Sequence, residues 1–112
     1  MDKLDWSDWR TMPSPENNRQ IEGPNGPGVY QIKDFRTNEF IQFGESITCC
    51  KRMKSFFPKP FGTGNRDNEN KRVYVRENWM NLKYRTIETN SKAEAVMIDR
   101  FLKSLNIHKF YT

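Results

Sequence analysis

The residues of this 112-residue chain best equipped for chemistry are few and unevenly spread. Lys51, Lys54, Lys59, Arg66, Lys71, Arg72 and Arg76 crowd the middle third and suit a phosphate backbone, whose charge such side chains neutralise with release of counterions. Asp99 stands within an apolar stripe of Ala95, Ile98, Leu102 and Leu105, which holds a carboxylate at the rim of a core. Tyr30 lies in a β-forming run and Arg52 in a stretch of helical spacing. Cys49 and Cys50 are adjacent, cannot close an ordinary disulfide loop, and lack the spaced partners of a zinc site; they are expected to be reduced thiols.

The elements that must position these residues are legible in outline. Gly28 to Lys33 reads as a strand after the turn signal Asn25-Gly26-Pro27, and Phe40 to Gly44 reads as its hairpin partner, joined by the polar segment Arg36 to Glu39. Gly44 permits close approach of other atoms to the backbone. Ser46 is expected to cap a helix from about Ile47 to Phe57, which Pro58 and Pro60 end. The loop from Pro58 to Asn68 holds Gly62 and Gly64, whose N–H groups can face an anion. Residues 69 to 79 lean towards helix, and Leu82 to Glu88 alternates as a strand with Leu82, Tyr84 and Thr86 on one face. Ser91-Lys92-Ala93-Glu94 is a capping box that opens a helix through Leu105.

Before the first strand, residues 1–27 form a polar arm in which Trp6 and Trp9, spaced for a short helical turn, are expected to pack onto a domain spanning 28–112. Hydrophobic residues make up 35%, and the eight Phe, four Tyr and three Trp concentrate the apolar content in a few large anchors, which implies one folded domain rather than a disordered chain. A formal charge of +5 favours polyanionic partners. The sequence has no apolar run long enough to cross a bilayer, and Met1 to Asp5 lacks the layout of a secretion signal, so no membrane association and a cytoplasmic location are expected.

At the joints of these elements the residues resemble the GIY-YIG nuclease domain, over roughly Gly28 to Thr112. Gly28-Val29-Tyr30 is similar to the first motif and Gln42-Phe43-Gly44 occupies the place of the second. Arg52 stands eight residues after Gly44, the spacing of the bacterial excision-repair incision subunit. Ser91 to Asp99 is similar to the family's final helix, with Asp99 at the place of its metal-binding glutamate. Gln42 replaces the second motif's tyrosine, and Tyr111 stands where the family carries an asparagine.

The resemblance implies an α+β fold, a small three-stranded antiparallel sheet flanked by helices, with hydrolysis of phosphodiester bonds in DNA or RNA assisted by Mg²⁺ or Mn²⁺. It assigns Tyr30 to positioning or activating the nucleophile, Arg52 to clamping the scissile phosphate, Asp99 to the metal, and Gln42 to a polar auxiliary part. DNA stands ahead of RNA as partner. The rival expectation is a catalytically degenerate module that binds nucleic acid or a protein partner, for example as a phage-encoded inhibitor. Asp99 is one methylene shorter than glutamate, which draws its carboxylate back by up to ~1.5 Å.

Overall fold

The computed structural model describes residues 4–14, 20–54 and 69–109, with side chains for all of these except 54 and 69–72. Its elements are β1 (Arg10–Thr11), β2 (Gly28–Asp34), β3 (Glu39–Ser46), α1 (Cys49–Lys54), α2 (Glu69–Asn78), β4 (Leu82–Glu88) and α3 (Lys92–Leu105), an α+β arrangement. The strands form one antiparallel sheet in the order β1-β4-β2-β3. It is four-stranded rather than three-stranded, because Arg10 and Thr11 of the arm pair with Tyr84 and Lys83. Two residues carry no alternation for a sequence reading to detect.

Both faces of the sheet are buried. On one, Tyr30, Ile32, Leu82 and Tyr84 pack with Cys49, Cys50 and Met53 of α1 and Val75 of α2; on the other, Val29, Phe43 and Ile87 pack with Ala95, Ile98 and Leu102 of α3. Side chains alternate along β2 between the two cores, which is why that strand is buried nearly throughout, its polar Gln31 and Asp34 included. The β2–β3 hairpin contains a bulge: Ile32 pairs with Gln42 but Lys33 with Phe40, so Ile41 is the additional residue. Buried Asp34 fixes the turn by accepting from the amides of Arg36 (2.8 Å) and Thr37 (3.3 Å), and it ties in α2 by accepting from the Tyr74 hydroxyl at 2.9 Å.

Three expectations about local structure need correction. Trp6 and Trp9 do not sit on a helical turn; the arm is extended, Ser7 N donates to Thr86 O at 2.8 Å, and the Arg85 guanidinium lies 4.4 Å from the Trp6 ring and 4.5 Å from that of Trp9. Cation–π attraction and backbone pairing to β4 together win over a single helical turn. Ser46 does not cap a helix from Ile47: β3 runs through Ser46, whose Oγ accepts from Thr48 N at 3.0 Å. The helix starts at Cys49 because the Cys49 and Cys50 amides donate to the carbonyls of Gly26 and Pro24, which settles its first turn. Leu105 drops out of the α3 stripe and is exposed, at the turn where Asn106 adopts a left-handed conformation (φ 54°) and ends the helix. The capping box itself forms, with Ser91 Oγ accepting from Glu94 N at 3.2 Å. The loop from Pro58 to Asn68 lies outside the described residues.

Behind the arm runs a buried polar relay. Arg85 Nε donates to Gln31 Oε1 at 2.8 Å, and the other end of that amide meets His108 Nε2 at 2.9 Å. Arginine is a donor only, so the amide oxygen faces Arg85, the amide nitrogen donates to His108, and the imidazole carries its proton on Nδ1. Burial pushes the His108 imidazole down to about 4. Its folded value lies below the unfolded ~6.5, so the stability it contributes is complete above ~6.5 and is lost as pH falls towards about 4, by ~3 kcal/mol at most. Urea denaturation across that window should show the midpoint falling with pH in the native chain and falling less steeply in His108→Gln. Equal slopes in the two proteins would exclude this residue as the cause.

Candidate functional site

β3 is an edge strand, and the cavity of interest wraps its edge near the end remote from the hairpin turn. It has a volume of about 400 Å³ and is lined by Tyr30, Gly44, Glu45, Ser46, Ile47, Arg52, Lys92 and Asp99. Tyr30 comes from the central strand, Arg52 from α1 on one face of the sheet, and Lys92 and Asp99 from α3 on the other. Lys92 and Asp99 are seven residues apart, which places them on the same side of α3 two turns apart.

Tyr30 is set by its partner across the ladder. It pairs with Gly44, and a Cβ added at that glycine would lie 2.5 Å from the Tyr30 hydroxyl oxygen and 2.7 Å from its Cζ. The phenol therefore crosses the backbone of β3 to reach the cavity, and only a residue without a side chain leaves it room. Burial raises the Tyr30 hydroxyl above its ordinary range, while the charge of Arg52 and a hydrogen bond to its guanidinium pull the other way. The net direction is upward, so Tyr30 is a neutral phenol at physiological pH, able both to donate and to accept.

Asp99 is half-buried, and its carboxyl is raised by burial and then by the nearby charge of Glu45, with Lys103 lowering it. Glu45 was not legible as a site residue. It lies next to Val29 in the ladder and thus on the α3 face, where its Oε2 is 3.6 Å from Lys92 Nζ. That oxygen is buried and accepts no hydrogen bond among the described residues. Glutamate and aspartate oxygens are the hard donors that Mg²⁺ or Mn²⁺ takes. Among the described residues no group of three or more His, Cys, Asp or Glu can hold a metal ion, so water and substrate oxygens must complete any shell, which is usual for Mg²⁺.

The remaining sequence candidates fall elsewhere. Gln42 does not line the cavity: the bulge turns it into the core facing α1, where it is fully buried and neither amide atom finds a hydrogen-bond partner among the described residues. Lys51 and Arg76 are exposed on α1 and α2. Of the other cations, the side chains of Lys54, Lys71 and Arg72 and the whole of Lys59 and Arg66 lie outside the described residues, as does Tyr111. Both cysteines are free and buried, and burial pushes the Cys49 thiol up to about 12, which makes it inert. No helix among the described residues is long and apolar enough to cross a membrane. Compared with protein-family models, with curated proteins and with solved structures, the chain matches none.

Two substitutions test this geometry. Gly44→Ala should destabilise the fold by ~1–3 kcal/mol in urea denaturation, because the Tyr30 ring is 1% exposed and has nowhere to retreat. The penalty should shrink in a Tyr30→Leu background; a penalty that stays the same would mean that another contact causes it. Gln42→Met removes two unpaired polar atoms from the core at nearly constant volume, and should leave stability unchanged or raise it by ~1 kcal/mol. A loss of stability would show that the amide has a partner.

Proposed function

We propose that the chain is a divalent-metal-dependent nuclease of the GIY-YIG type, hydrolysing phosphodiester bonds in DNA, or secondarily RNA. The observation that supports this reading best is that Tyr30, Arg52 and Asp99, chosen by motif and far apart in the sequence, line one cavity. Arg52 presents a planar fork suited to two non-bridging oxygens of a phosphodiester. The neutral Tyr30 hydroxyl lies beside Arg52, where it orients the attacking water by hydrogen bonding rather than by acting as a phenolate base. Asp99 would hold the metal, which when bound supplies positive charge to the reacting phosphate. Exposed Lys51 extends from the same helix as Arg52 and offers the adjoining backbone a further positive contact.

One observation favours the alternative of a binding module without catalysis. The side chain at the second motif's place, Gln42, points into the core and contributes nothing to the cavity. On that reading the same cavity and the basic surface hold nucleic acid, or a protein partner that presents similar charge.

Cleavage of supercoiled plasmid and of labelled single strands in Mg²⁺ or Mn²⁺ separates the two. A nuclease cuts only with metal, and Arg52→Ala and Asp99→Ala each lower the rate by ~10²-fold or more while the circular dichroism spectrum is preserved. A wild-type protein that binds oligonucleotides at low salt without cutting under either metal is the binding module.

A further inference from the structure

The sheet face that packs on α3 changes character along its length. In the β2–β4 ladder, Val29 stands opposite Ile87, Gln31 opposite Arg85 and Lys33 opposite Lys83, so the face passes from apolar under α3 to cationic beside the hairpin turn. Like charges directly opposite each other repel. Among the described residues no carboxylate lies within ion-pairing distance of Lys33, Lys83 or Arg85. Asp34, next to Lys33 in the chain, is turned to the other face and committed to the hairpin turn and to Tyr74.

Aromatic rings stand where counter-ions would. The ammonium of Lys33 lies 5.0 Å from the ring of Phe40, 5.2 Å from that of Phe35 and 6.0 Å from that of Trp9, and the ammonium of Lys83 lies 4.8 Å from Phe35. Trp9 meets Phe35 edge to face with centroids 5.3 Å apart. The rings orient the cations without neutralising them. Phe35 itself is 41% exposed.

We propose that this surface, on a different part of the sheet from the cavity, binds single-stranded nucleic acid, with phosphates against Lys33 and Lys83 and a base stacked on Phe35. The inference rests on the proposed function for the class of partner and adds where an unpaired strand is held. Unneutralised cations beside an exposed ring match the two features of such a strand, a charged backbone and open base faces. A duplex offers the backbone alone, because its base faces are stacked on one another. An acidic peptide would satisfy the lysines and leave the ring without a planar partner.

The test is fluorescence anisotropy of a labelled oligothymidylate of about 12 nucleotides, titrated with the full chain at low salt in the presence of a chelator. Phe35→Ala should weaken binding at least about fivefold and Phe35→Tyr should bind as wild type does. Lys83→Gln should weaken binding too, and should reduce the slope of log affinity against log salt by roughly 0.7. A duplex of the same length should respond to Lys83→Gln and not to Phe35→Ala. The proposal is overturned if wild type does not bind the oligonucleotide, if affinity is unchanged by either substitution, or if polyglutamate competes as well as unlabelled oligonucleotide. Circular dichroism of each variant separates lost binding from lost fold. Phe35-dependent binding without cleavage in Mg²⁺ or Mn²⁺ would sustain this proposal and sink the nuclease reading. Arg52-dependent cleavage with affinity indifferent to Phe35 and Lys83 would do the reverse.

Discussion

The register between β2 and β3 is the constraint on which the site depends, and one additional residue sets it. Counted back from the hairpin turn, where Asp34 pairs with Glu39 and Lys33 with Phe40, an unbroken ladder would set Ile41 against Ile32 and Phe43 against Tyr30. The bulge at Ile41 advances β3 by one, so that Gly44 comes opposite Tyr30. Since side chains alternate with period two, the same step decides which face every later residue of β3 occupies. Phe43 turns to the α3 core, Gly44 clears the path of the phenol, and Glu45 faces α3. Without the bulge Phe43 would stand where Tyr30 needs open backbone, and Glu45 would face α1 instead of Lys92.

Register can be held this firmly only because both faces of the sheet are covered. A slip of one residue would carry Val29, Phe43 and Ile87 away from Ala95, Ile98 and Leu102, exposing side chains worth ~1.5–3 kcal/mol each when buried. The edge position of β3 then gives the site its access. A central strand would wall off one core from the other, whereas an edge strand lets residues from α1 and α3 meet around it. The charged and hydroxyl groups that line the cavity thus gather where the sheet stops.

What the sequence disclosed follows from how local each feature is. β4 was readable because Leu82, Tyr84 and Thr86 alternate without interruption, and α3 because Ser91 and Glu94 fix its start and Ala95, Ile98 and Leu102 fix its face. Both signals lie within one element. The strand of the arm was not readable, since Arg10 and Thr11 become a strand only by meeting β4, far away in the sequence. Tyr30, Arg52 and Asp99 were picked out by their order and spacing, and the structure brings all three to one cavity. Glu45 and Gln42 could not be placed, for a single reason: nothing in Phe40-Ile41-Gln42-Phe43-Gly44-Glu45 marks Ile41 as the bulged residue, and a strand read without the bulge gives each of them the wrong face.

The charges that line the cavity bear on what can enter it. Arg52 and Lys92 stand against Glu45 and Asp99, two positive side chains and two carboxylates, so the cavity itself is close to neutral in a chain whose overall balance is +5. A phosphodiester entering alone would add a negative charge beside two half-buried carboxylates, at a cost that rises as water is excluded. On the nuclease reading, a dication held by Asp99 would offset that cost before a phosphate arrives beside Arg52. The favourable order is therefore metal first and phosphate second. On the same reading, Lys51 and Arg76, exposed outside the cavity, would supply the net positive charge that attracts a polyanion over longer range.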